Sequence, residues 1–187
     1  MKRIKASWNT LVIAFGTILV VCIIAFDKPK TKEIVENKWR DKLVEMNLVL
    51  PEVSVPGGSY SSVNIRGKIA YIAIQFPILN GDFKFQGKLG KDLTTKQGYE
   101  AMKLCALNVL SQIEDKIGID NINGLNHIEA YYVATDDWDD APIVVNGASD
   151  LFSTVLGEKG KHSRTILGVH NLPRNFSVGL TTSFTLD

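Results

Sequence analysis

The stretch between Thr94 and Gly118 constrains the fold more than any other part of the chain. Thr94, with Gln97 three residues on, is a capping box: a hydroxyl and a side-chain amide satisfy the first free backbone amides of a helix. From there Tyr99, Met102, Ala106, Val109, Leu110, Ile113 and Ile117 recur at steps of three and four. An apolar stripe of that length must bury itself on another layer, and the flanking segments supply one. Residues 62–65 and 68–75 read as two strands joined by Arg66-Gly67, the second (KIAYIAIQ) apolar enough for a sheet interior. Asn80-Gly81-Asp82 marks a loop, 125–134 a further strand, and 143–156 a second amphipathic helix ending at Gly157. Strands at 165–169 and 176–186 close the chain. A leading helix over 31–47 carries Ile34, Val35, Trp39, Leu43 and Met46 ahead of Pro51. The order β-β-α-β-α-β-β predicts an α+β domain over 31–187, a mixed sheet with both helices on one face. The opposite face is then expected to be apolar and uncovered, which implies an oligomer.

At 187 residues, 45% hydrophobic and 22% charged, the chain has room for one substantial core. That excludes disordered, collagenous and disulfide-scaffold classes. The first 30 residues hold five of the 21 Lys+Arg and one of the 20 Asp+Glu, which leaves 16 cations against 19 anions, a net −3, in the rest. A mildly acidic body without a basic run lacks the footprint of a nucleic-acid binder.

Residues 6–26 contain no charge, and LVIAFGTILVVCIIAF is apolar apart from Gly16 and Thr17, long enough to cross a bilayer as helix. Lys2, Arg3 and Lys5 precede it, as in a signal sequence, but no small-x-small cleavage site follows. The expectation is an uncleaved signal anchor over 1–30 with the domain exported; a cleaved signal and a secreted domain is the alternative. Cationic residues on both sides of the run leave the orientation ambiguous. Cys22 lies in the run and Cys105 on an apolar helix stripe, so no disulfide follows.

His127, His162 and His170 lack metal-ligand spacing, and Asp136-Asp137-Trp138-Asp139-Asp140 lacks the glycine and distal Glu of a calcium loop. No nucleophile elbow, Walker sequence or dinucleotide fingerprint is present. No metal or cofactor is expected.

A series of short segments carries a family resemblance by order and spacing. It runs Leu50-Pro51; Pro56-Gly57-Gly58-Ser59-Tyr60; Gln75-Phe76-Pro77; Gly87-Lys88-Leu89-Gly90; Gly98-Tyr99-Glu100-Ala101; Val145-Asn146-Gly147-Ala148-Ser149-Asp150; Gly160-Lys161-His162-Ser163-Arg164; and Leu172-Pro173. Together these resemble the Rid (reactive intermediate deaminase), or YjgF-type, family over about residues 34–186. The similarity is to its longer branch, labelled endoribonuclease, a label the acidic body does not support.

The resemblance implies a chorismate-mutase-like fold, a homotrimer with ligand clefts between subunits, and hydrolysis of enamines and imines such as 2-aminoacrylate. It assigns Arg164 the substrate carboxylate, a task suited to a planar fork of donors, and Tyr60 a wall of the cleft. Ala73, Ile74, Gln75 and Gly179 fall at ligand-facing positions. Two of these depart from the family pattern: Ala73-Ile74 replaces a Ser-Gly pair, and the acid on the last strand falls at Gly179, with Thr181 the next inward candidate and also not acidic. The resemblance therefore points to a site that keeps an anion clamp while lacking its proton-transfer group, with a non-catalytic, membrane-tethered trimeric binder as the alternative. Arg164 has a competing reading as a surface ion pair with Asp150 or Glu158, and Tyr60 as packing on the sheet edge. Asn146 and Ser149 read as helix-surface packing.

Overall fold

The computed structural model describes residues 38–187. The anchor at 6–26, its possible cleavage and the linker after it lie outside the described residues, as does the first part of the leading helix. Among the described residues no helix is long and apolar enough to cross a membrane.

Helix α1 (Lys38–Glu45) buries Trp39 and Leu43. Strands β1 (Val63–Arg66) and β2 (Ile69–Gln75) pair antiparallel with Val63 opposite Ile72, turning at Arg66-Gly67 as the sequence predicts. The loop expected at Asn80-Gly81 is a small hairpin of β3 (Ile78–Leu79) and β4 (Asp82–Phe83). Asn80 and Gly81 both take positive φ, at 50° and 88°, the backbone that a two-residue hairpin turn needs. Helix α2 (Thr95–Lys116) carries the capping box in full. The Gln97 amide donates to Thr94 Oγ1 at 3.2 Å and the Thr94 amide to Gln97 Oε1 at 2.9 Å.

Strand β5 (Ile122–Tyr132), helix α3 (Ala141–Leu156) and strand β6 (Ser163–Gly168) form a parallel crossover. The last strand, β7 (Val178–Leu186), inserts between β2 and β5, antiparallel to both. The sheet order is β1-β2-β7-β5-β6, so β1 and β6 are its edges. A bulge between Ile72 and Gln75 turns the end of β2 away from strict alternation. β6 begins two residues earlier than periodicity predicts and so includes Arg164, while a 3-10 turn at Pro173–Asn175 delays β7 to Val178.

One layer of the core is α2 and α3, through residues such as Met102, Ile113, Leu151 and Phe152; the other is the inner face of the sheet, with Ile72, Ile128, Leu180 and Phe184. The outer face differs from the apolar surface expected. In β7 the buried residues Leu180, Thr182 and Phe184 alternate with partly exposed Thr181, Ser183 and Thr185, and β5 sets His127, Glu129 and Tyr131 beside them. Thr181, Ser183 and Thr185 thus each present a hydroxyl on this face, beside the larger apolar surface of Tyr71, Tyr131 and Leu167. Glu129 Oε2 accepts from Tyr131 at 2.9 Å and Thr181 at 3.2 Å, while His127 bonds Ser163 and Thr165 at 2.8 and 3.2 Å.

Candidate functional site: an aromatic cleft and an edge-strand arginine

A cleft of about 720 Å³ opens between the segment 52–57, the end of β2, the β3–β4 hairpin and the turn at Pro173. Its size suits a small-molecule site. Phe76 stacks on Phe176, with ring centroids 4.9 Å apart, and Phe83 meets Phe176 edge-on at 5.3 Å. Tyr60 lines the opening about half exposed, its hydroxyl accepting the Gly57 amide at 3.3 Å. Arg174 lies on the rim in left-handed backbone (φ 55°), its guanidinium 6.0 Å from the Phe83 ring and its carbonyl held by Gln86 at 2.6 Å.

The outer wall is anchored by polar residues inside helix α2. Asn108 donates to the carbonyls of Phe76 (3.3 Å), Ile78 (2.8 Å) and Leu104 (3.0 Å). Ser111 donates to Pro51, and Gln112 donates to Ser54 at 2.7 Å. These three residues are buried, and their spacing of three and one places them on a single side of the helix. They tie two strand-poor segments whose carbonyls would otherwise be buried without partners.

The residues that the resemblance assigns to ligand divide between two places. Tyr60, Ile74 and Gln75 line the cleft; Ala73 and Gly179 do not. The Ala73 amide pairs with the Ser62 carbonyl at 2.9 Å, and Gln75 folds its amide back onto the carbonyl of Ala73. Gly179 is buried beneath the cleft wall, and a Cβ there would lie 2.8 Å from Ile74 Cδ1 and 3.1 Å from Phe76 Cε1. Ile74 therefore occupies the space a longer side chain at 179 would need. Thr181 is committed to Glu129.

Arg164 lies outside this cleft, exposed on edge strand β6. It makes no ion pair among the described residues: Asp150 takes the Tyr99 hydroxyl at 3.0 Å and Glu158 pairs with Lys161. Instead Arg164 Nη1 donates to Asn146 Oδ1 at 2.7 Å and Ser149 Oγ at 3.3 Å, both on α3. Ser149 also bonds His162 Nε2 at 3.0 Å, and His162 Nδ1 bonds the Gly160 carbonyl at 2.7 Å. Gly160 is held against α3, where a Cβ would meet the Phe152 carbonyl oxygen at 2.1 Å, and the Phe152 ring packs edge-on against His162. The separate N-G-A-S-D and G-K-H-S-R segments thus meet as one hydrogen-bonded cluster. Periodicity gave no sign of it, because the pairing joins the middle of a helix to the turn after it.

Among the described residues, three groups are shifted from their ordinary values. Burial pushes the Cys105 thiol well up. Tyr99 and Tyr131 are raised by burial first, and then by the carboxylates of Asp150 and Glu129 that accept their hydroxyls.

The comparisons with known proteins agree with this architecture. The family described as "YjgF/chorismate mutase-like, putative endoribonuclease" matches residues 40–185. Protein TCP17 of Trypanosoma cruzi is 31% identical over 133 residues, which are 70% of this chain and 83% of that protein. A structure described as a putative endoribonuclease of Shewanella oneidensis MR-1 superposes with a TM-score of 0.78 at 32% identity, covering 80% of this chain and 99% of that one. The protein Atu1372 of Agrobacterium tumefaciens, of unknown function, gives 0.76 at 29% identity, covering 81% and 94%.

Proposed function

Because the chain belongs to the YjgF/chorismate mutase-like family, we propose that it is a Rid-type protein that binds small carboxylates, including 2-imino and 2-keto acids, and hydrolyses imines slowly. The observation that carries this reading is Arg164: an exposed guanidinium oriented only by neutral partners, Asn146 and Ser149, keeps its charge for an anion. Both bonds use Nη1, which leaves the Nε–Nη2 edge, the one that grips a carboxylate bidentately. Since Arg164 stands on an edge strand and not in the chain's own cleft, the reading includes a homotrimer in which Arg164 of one subunit serves the Tyr60–Ile74–Gln75 wall of the next. The charge-free run at 6–26 supports a membrane tether with the domain exported.

Slow turnover follows from Gly179, since losing a general acid or base typically costs about 10²- to 10⁴-fold. A purely binding role is favoured by one specific observation, the Ile74 side chain packed over Gly179. The test is ammonia release from 2-aminoacrylate generated in situ, alongside calorimetric titration with pyruvate. Wild-type protein is expected to bind pyruvate and Arg164→Ala to lose it. Undiminished binding by Arg164→Ala rules out the anion clamp, and turnover at rates typical of enzymes rules out the weakened site.

A further inference from the structure

We propose that Ser149 and His162 form a proton relay beside Arg164, and that this relay carries the proton transfers of the slow imine hydrolysis that remains without an acid at position 179. The inference rests on the reading of Arg164 as the carboxylate clamp.

Hydrogen-bond bookkeeping sets the direction of the relay. The Gly160 carbonyl can only accept, so His162 Nδ1 carries the ring proton of the neutral imidazole and Nε2 is left as an acceptor. Ser149 has one proton, and its partner at 3.0 Å is that acceptor; its oxygen in turn accepts from Arg164 at 3.3 Å. A hydroxyl bonded to a base that is itself oriented by a third group is the arrangement that activates an oxygen for proton transfer. The edge-on Phe152 ring fixes the imidazole plane. A structural explanation needs only one of these bonds. A mid-helix Ser commonly satisfies itself on the carbonyl of its own preceding turn, whereas here the hydroxyl reaches off the helix to His162 and meets the guanidinium of Arg164.

The chemistry balances without a further reactant. With the substrate carboxylate on Arg164, water oxygen bonds the iminium carbon and the C=N π pair moves to nitrogen. The water proton passes to Ser149 Oγ as the serine's own proton passes to His162 Nε2. The imidazolium then returns that proton through Ser149 to the amine nitrogen of the adduct. The C–N bond breaks with its pair on nitrogen, the carbinol oxygen forms the carbonyl, and its proton leaves on ammonia as ammonium.

The experiment uses the full chain, imine generated in situ from 2-aminoacrylate, and pyruvate as the binding probe, with Ser149→Ala, His162→Gln and Ser149→Thr. The first two are expected to lower kcat about 100-fold or more while pyruvate affinity stays within about twofold, and Ser149→Thr, which keeps a hydroxyl, to recover most of the rate. Unchanged kcat in Ser149→Ala or His162→Gln overturns the relay. Pyruvate affinity falling in step with kcat also overturns it, because the pair would then only position Arg164. Wild-type protein that binds pyruvate but releases no ammonia above background overturns the relay and leaves the clamp standing. Failure of wild-type protein to bind pyruvate removes the clamp reading, and the relay with it.

Discussion

At position 179 the absence of a side chain and the bulk of Ile74 are complementary in volume. A longer side chain at position 179 has no room with Ile74 in place, because the space for a Cβ is already closed at 2.8 Å by Ile74 Cδ1 and at 3.1 Å by Phe76 Cε1. Introducing Gly179→Glu alone is expected to cost about 1–3 kcal/mol through overpacking, measured by urea unfolding. The double substitution with Ile74→Gly should recover part of that loss at the cleft, since removing the Ile74 side chain vacates the space the new one needs, so the two single effects should not add. Additive effects would show that the two positions are uncoupled. The sequence disclosed that both residues depart from the family pattern but not that they touch, since contact across β2 and β7 depends on the bulge after Ile72. The family resemblance singled out Arg164 as the expected clamp from sequence. Its partners were not legible, because Asp150 and Glu158 are its obvious charged neighbours in sequence, and both are engaged elsewhere.

The strongest helix signal was also the most faithfully realised: the Thr94–Gln97 box and the stripe to Ile113 set α2 almost to the residue. Strand starts were less legible. Periodicity does not report 3-10 turns such as Pro173–Asn175, which decide where β7 begins. Nor did the apolar pattern reveal that α2 also builds the cleft, although Asn108, Ser111 and Gln112 interrupt a buried helix side at a helical spacing. Asn108→Ala tests that role. Its amide is shared among three carbonyls, and leaving a buried acceptor unpaired costs about 1–3 kcal/mol, against at most about 0.7 kcal/mol recovered from alanine's helix preference. Net destabilisation is expected, with faster amide hydrogen exchange concentrated at the β3–β4 hairpin. A uniform change across the sheet would mean that Asn108 serves global stability and not the cleft wall.

For the molecule as a whole, the layer argument correctly placed both helices on one face and misjudged the other, because it counted strands as apolar without following the alternation of Thr181, Ser183 and Thr185. An assembly built on this face would therefore join hydroxyls, Glu129 and the two tyrosines rather than a greasy sheet, and would be sensitive to charge. Tyr131 provides the handle. Burial and then the Glu129 carboxylate raise its pKa above the usual tyrosine value of about 10. A raised folded value means that the protonated phenol is favoured by the native structure. That contribution is fully present below the unfolded value and is lost as pH rises through the folded one. Deprotonation also sets a phenolate against Glu129, a like-charge pair on the surface where copies of the chain are expected to meet. Sedimentation at micromolar concentration is expected to give a trimer at neutral pH that dissociates as the pH passes the tyrosine range. Glu129→Gln should move the Tyr131 titration, followed by phenolate absorbance, downward without restoring it fully, because burial is the larger cause and remains. A monomer at neutral pH would refute the assembly, while a trimer that persists through phenolate formation would place the interface on another surface.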